Sequence, residues 1–228
     1  FEAYDNLGRV GYNGTLAAPM SVRVDKGVPT LYGTIPTNYS YIKGSSIELF
    51  SIFVNDTSLS FTANVVYKEA TALSWTSTSL NCYSMGGSIS VCNASIDLTA
   101  SYVAGDVLQF YFNVTDPLNN NAMHGSNSTP LVTTIDKTNP SVSSITPTVV
   151  EVNTLGNFNA TVLDNYLVAT CNLYVNGTNN GSMTISGGIA NRTLTFGSLE
   201  NRTLFANCSD GAGNVNSTSA TAISVVDT

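Results

Sequence analysis

Thirteen asparagines of this chain open an Asn-x-Ser/Thr triplet, and the side-chain amide of such an asparagine is the acceptor for an N-linked sugar. They are Asn13, Asn38, Asn55, Asn93, Asn113, Asn127, Asn159, Asn176, Asn180, Asn191, Asn201, Asn207 and Asn216. The chain has 26 Asn and 55 Ser or Thr among its 228 residues. Chance pairing at that composition gives about 6 triplets, so the motif is enriched roughly twofold. Four cysteines, Cys82, Cys92, Cys171 and Cys208, form the second chemical group. None has CxxC spacing, and a single histidine, His124, completes no zinc ligand set with them. Four cysteines allow three connectivities. Nearness in sequence favours Cys82 with Cys92 and Cys171 with Cys208, with reduced buried thiols as the competing state. An even count beside so many acceptor triplets points to an oxidising, extracellular compartment.

For catalysis the inventory is nearly empty. His124 lies in an Asn/Gly-rich stretch with no partner carboxylate or nucleophile motif. Glu48, Glu69, Glu151 and Glu200 are scattered, so no acid/base pair for glycoside chemistry can be assigned. No glycine-rich phosphate loop is present. The expectation is a protein that is not an enzyme. Calcium is the metal to weigh, because Asp210, Asn214 and Asn216 set oxygen ligands near a glycine-rich turn, with Asp5 and Asp116 at matching places. Calcium takes six to eight oxygens, several of them carboxylate. Each turn offers one carboxylate, and Asx side chains cap turns without any ion. The sequence therefore implies no metal and no cofactor, only covalent N-linked glycans.

Composition bounds what surrounds these residues. Hydrophobic residues make up 43% and charged residues 10%, the latter under half of the usual ~25%. Asn, Ser and Thr fill the gap, yet 11 Tyr and 9 Phe distinguish the chain from a disordered one. The net charge of −7 comes without a basic cluster, which excludes a nucleic-acid partner. No apolar run approaches the ~20 residues of a membrane span.

An internal repeat organises the chain. Phe1 to Asp5 is followed by Asp25-Lys26-Gly27-Val28-Pro29, Phe112 to Asp116 by Asp136-Lys137-Thr138-Asn139-Pro140, and Phe205 to Asp210 by Asp227. Each copy reads as a strand, a polar turn, a second strand and an exit, with turns at Asn6 to Gly8, Pro117 to Asn121 and Gly211 to Gly213. The proline-bearing exits make short, stiff linkers. Residues 26–136 and 137–228 are then two domains, the first with an insertion around 72–92. Residues 1–25 read as the last hairpin of a preceding domain, or as a strand-exchange segment. Period-two alternation marks about seven antiparallel strands in each domain. In the first they fall at 30–35, 46–54, 59–69, 72–80, 88–98, 106–115 and 129–135. In the second they fall at 142–146, 155–163, 168–175, 182–186, 190–197, 203–209 and 216–226. The fold class is all-β, with immunoglobulin-like β-sandwich domains in series.

The run Phe205-Ala-Asn-Cys-Ser-Asp-Gly-Ala-Gly-Asn214, ending in Val-Val-Asp, resembles the last hairpin of tandem bacterial and archaeal immunoglobulin-like (Big-type) repeats. Cys171-Asn-Leu-Tyr-Val-Asn-Gly177 resembles the third strand and following turn of the same repeats, especially in archaeal examples. The likeness covers nearly all of 137–228, the frame of 26–136, and residues 1–25. It implies a surface protein such as an S-layer, filament or adhesin. In such a fold Cys171 and Cys208 lie on neighbouring strands of one sheet, and Cys82 and Cys92 clamp a hairpin or loop tip.

The strands give the triplets a direction. Residues i and i+2 of a strand share a face, and Asn93, Asn113, Asn159 and Asn207 alternate with apolar neighbours such as Ile96, Phe112, Phe158 and Ala206. The asparagines should therefore face outward. The leading expectation is an extracellular, cell-surface structural repeat that associates with other copies of itself end to end or by strand addition. An adhesin or carbohydrate-binding module is the alternative, with Trp75, Tyr83 and Tyr102 as its only aromatic candidates. A stalk of a larger secreted protein is the third.

Overall fold

The computed structural model describes residues 2–4, 10–12, 27–38, 40–44, 47–57 and 60–228, and every regular element in them is a β-strand. Strands β1 (Glu2–Tyr4) and β2 (Val10–Tyr12) pair antiparallel in a two-stranded sheet. Ten strands follow: β3 (Thr30–Ile35), β4 (Ser40–Ile42), β5 (Ile47–Asn55), β6 (Thr62–Glu69), β7 (Thr76–Ser79), β8 (Asn81–Gly86), β9 (Ile89–Asp97), β10 (Val107–Thr115), β11 (Asn121–His124) and β12 (Leu131–Ile135). They form one sheet in the order β3-β5-β9-β8 and another in the order β4-β12-β10-β6-β7, with β11 also on β10.

The remaining ten repeat this plan. They are β13 (Ser141–Val142), β14 (Val149–Glu151), β15 (Leu155–Leu163), β16 (Val168–Val175), β17 (Thr178–Ser182), β18 (Thr184–Ser186), β19 (Ile189–Thr195), β20 (Arg202–Asp210), β21 (Val215–Ser217) and β22 (Thr221–Val226). Their sheets run β13-β15-β19-β18 and β14-β22-β20-β16-β17, with β21 also on β20. Shifting every strand number by ten converts one topology into the other. The two sandwiches are structural copies.

Each sandwich has more strands than the alternation pattern reveals, and the causes are local. The opening strand is divided at a proline, which has no N–H to give a ladder. At the cis bonds Ile35–Pro36 and Thr146–Pro147 the chain leaves the sheet of β3 or β13. It then runs parallel to the last strand of the facing sheet, as β4 on β12 and β14 on β22. The stretch read as one strand at 216–226 is broken into β21 and β22 around buried Thr218, whose hydroxyl accepts the Ala206 N–H at 3.1 Å. Residues 72–92 hold β7, β8 and the start of β9. The chain crosses from one sheet to the other at buried Leu80, as β17 passes to β18 at buried Met183.

Alternation closes two separate interiors. In the first, Phe50, Ile52 and Val54 of β5 belong to one core with Phe110, Phe112 and Val114 of β10, and the Phe50 and Phe110 rings meet edge to face at 5.4 Å. In the second, Phe158, Ala160 and Val162 of β15 share a core with Leu173 of β16 and with Leu204, Ala206 and Cys208 of β20. Burying each of the larger side chains contributes about 1.5–3 kcal/mol. The first interior draws on residues between Leu31 and Ile135, the second on residues between Val142 and Val225.

Candidate functional site

The inward set fixes the outward one. Of the thirteen triplet asparagines, Asn13 lies outside the described residues, and none of the other twelve is buried. Asn38, Asn55, Asn127, Asn176, Asn180, Asn201 and Asn216 are exposed; Asn93, Asn113, Asn159, Asn191 and Asn207 are half-buried on strands. They differ in what Nδ2, the atom that would carry the sugar, already does. Asn159 Nδ2 donates to the Asn157 carbonyl at 3.2 Å, Asn191 Nδ2 to Asn159 Oδ1 at 2.6 Å, and Asn216 Nδ2 to the Pro140 carbonyl at 2.9 Å. Asn38, Asn55, Asn113, Asn176 and Asn180 instead accept through Oδ1.

Both cysteine pairs are bridged, Cys82 to Cys92 and Cys171 to Cys208. Each bridge joins residues directly opposite on paired strands, β8 with β9 and β16 with β20. The first clamps a hairpin whose turn places Gly86 and Gly87 at positive φ. The second staples the centre of one sheet and is almost fully buried.

The hairpin turns of the repeat are built alike. Asp116 Oδ1 accepts the N–H groups of Leu118 and Asn120, both at 2.8 Å, and its Oδ2 accepts Asn120 Nδ2 at 2.7 Å. Asp210 does the same for Ala212 at 2.9 Å, for Asn214 at 2.8 Å, and for Asn214 Nδ2 at 2.8 Å. Desolvated carboxylates thereby receive charge-assisted bonds. Asp5 and the Asn6 to Gly8 turn lie outside the described residues.

The same turn of the second sandwich meets the linker. Asn214 Nδ2 also donates to the Asp136 carbonyl at 2.9 Å, and Asn165 Nδ2 donates to Asp136 Oδ1 at 3.2 Å. On the other side, Lys137 Nζ donates to the Thr99 carbonyl at 3.1 Å and to the Tyr102 carbonyl at 2.6 Å. The rings of Tyr41 and Tyr166, one from each sandwich, meet at a tilt of 31° with centroids 4.3 Å apart. Burial first, then the neighbouring Asp136, Tyr41 and Asp164, raises the Tyr166 hydroxyl above its ordinary pKa. Desolvation also raises Tyr102, ahead of Tyr67, Glu69 and Asp106.

The chain resembles the fibronectin(III)-like modules of CbhA from Clostridium thermocellum with a TM-score of 0.52, covering 88% of this chain and 95% of that one. The fold is immunoglobulin/fibronectin-III-like. Sequence identity is 11%, so the likeness is one of fold alone. No protein-family model and no curated protein matches the chain.

The remaining candidates do not converge. His124 ends β11 opposite Phe112. Glu48 accepts the Gly44 N–H at 2.9 Å, Glu69 bonds the Thr71 hydroxyl, Glu151 bonds the Thr228 hydroxyl, and Glu200 pairs with Arg202 at 3.0 Å. The Thr71 hydroxyl and backbone hold Glu69 below the usual carboxylate range. Trp75 packs edge to face on Tyr111 at 5.2 Å, Tyr102 leans on the first core, and Tyr83 is exposed on β8 in the opposite sheet.

Proposed function

We propose that the chain is a stretch of an extracellular structural protein, N-glycosylated on its outward faces, that serves as a repeat unit of a cell-surface filament or S-layer of the archaeal kind. The observation that carries this reading is the exposure of the triplet asparagines. Twelve of them avoid burial while the residues alternating with them close two cores. Two disulfides support an oxidising compartment. Residues 26–136 and 137–228 are two repeats in this reading, and residues 1–25 are the closing hairpin of another, in line with the β1–β2 pairing.

The partners are other copies of the same protein. Strands β7, β8, β17 and β18 are among the sheet edges, and edges of this kind accept an added strand. End-to-end contact through linkers of the Asp-Lys-x-x-Pro type is the other route. Electron microscopy of native cell surfaces, with an antibody to this chain, tests the proposal. Regular filaments or a lattice carrying the label are expected; label confined to the cell interior contradicts it.

A further inference from the structure

Three carboxylates from distant parts of the chain converge where the two sandwiches meet. Asp136 directly follows β12, Asp164 directly follows β15, and Asp210 ends β20. One oxygen from each lies within 4.8 Å of the others. Among the described residues no cation pairs with them, since the nearby Lys137 ammonium is spent on the Thr99 and Tyr102 carbonyls. Like charges so close repel unless something positive lies between them.

The division of labour within each carboxylate is the second observation. Asp136 Oδ1 is held by the Thr138 N–H at 2.9 Å and by Asn165 Nδ2. Its Oδ2 is buried without a hydrogen-bond partner, in a residue that is 0% exposed. Asp164 Oδ2 accepts the N–H groups of Tyr166 at 2.9 Å and Leu167 at 3.1 Å, and its Oδ1 is likewise buried and unpartnered. Asp210 Oδ1 caps its own turn, and its Oδ2 receives only Asn214 Nδ2. Asp136 and Asp164 are thus each oriented through one oxygen and keep the other desolvated and unsatisfied, while Asp210 is held through both. A buried, unsatisfied anionic oxygen is costly, and a hard cation satisfies it.

We propose that Asp136, Asp164 and Asp210 bind a calcium ion at the junction of the two sandwiches. Oxygen donors without a histidine or thiolate select a hard ion, and calcium accepts irregular oxygen shells of six to eight ligands. The three carboxylates supply the anionic part, and carbonyls, amide oxygens and water complete the shell. Because Asp136 belongs to the linker and the other two to the second sandwich, the ion ties the linker to that sandwich. The positions recur one repeat upstream: Asp56 directly follows β5 as Asp164 follows β15, and Asp116 directly follows β10 at the place of Asp210. Asp25 holds the place of Asp136 in the sequence repeat. The proposal does not depend on the filament reading.

Calorimetric titration of the chelator-stripped full chain with calcium chloride tests it. Saturable uptake with a dissociation constant on the order of 10⁻⁴–10⁻³ M is expected, the range of extracellular modules. Asp136→Asn should lose one calcium equivalent per chain. Asp164→Asn, on a half-buried loop, should lose the same equivalent and serves if the first variant does not fold. Exposed Asp97→Asn should change nothing. The proposal is overturned if the chain takes up no calcium at 10-fold above that range, if both folded junction variants retain every equivalent, or if magnesium binds the same sites as tightly.

Discussion

Asn214 Nδ2 lies 2.9 Å from the backbone carbonyl of Asp136, a contact spanning 78 residues, while the same nitrogen donates to Asp210 at 2.8 Å. One buried amide therefore closes a turn and fastens the linker to it. Its counterpart Asn120 makes the turn contact to Asp116 at 2.7 Å. Asn214→Ala leaves a buried carbonyl and a buried carboxylate oxygen each short of a donor, at a cost of about 2–4 kcal/mol. Asn120→Ala removes the turn contact alone and should cost less. Urea denaturation of the two variants checks the order; equal losses would show that the linker bond adds nothing.

The two disulfides should differ in what they contribute. Cys171 and Cys208 are 37 residues apart and Cys82 and Cys92 are 10 apart. Loop entropy alone gives about 4 kcal/mol for the longer closure and about 3 for the shorter. Replacing the pair Cys171/Cys208 by alanine also hollows the second core, so its loss should be the larger by 1 kcal/mol or more, roughly. Melting the two double variants checks this. A greater loss from the Cys82/Cys92 variant would contradict it.

In the calcium-free chain, alkaline pH should loosen the junction. The pKa of the Tyr166 hydroxyl is raised above its ordinary value, by desolvation first and then by Asp136, Tyr41 and Asp164. A raised folded-state value means that the folded chain holds this proton more tightly than the unfolded chain. The associated stability is fully present below about pH 10 and falls as pH rises through the folded-state value. Ultraviolet titration of the phenolate band should show late-ionising tyrosines, one fewer in Tyr166→Phe, with Tyr102 remaining. An unchanged titration curve in that variant would count against the assignment.

Much of the fold was legible in sequence because alternation reports which face is buried. Phe112 and Val114, Phe158 and Ala160, and Leu204 and Ala206 all point inward as their spacing requires. The cysteine pairing followed from locality, and the hairpin recurrence from the aspartate that opens each turn. What escaped has physical causes. A period-two pattern cannot register a strand that changes sheets, as the chain does at Pro36, Leu80, Pro147 and Met183. Read one turn at a time, each loop offers one carboxylate. Only the fold brings Asp136, Asp164 and Asp210 together. The double role of Asn214 was equally hidden, because its second acceptor lies in the linker of another repeat segment.

Sugar at the outward asparagines is the property that glycopeptide mapping of the native protein by mass spectrometry reads directly. Asn38, Asn55, Asn176 and Asn180, whose Nδ2 atoms are not engaged in the bonds described above, should carry glycan at high occupancy. Asn159, Asn191 and Asn216, whose Nδ2 atoms already donate at 3.2, 2.6 and 2.9 Å, should carry less. Native peptides spanning the first group without any added sugar mass would contradict the account.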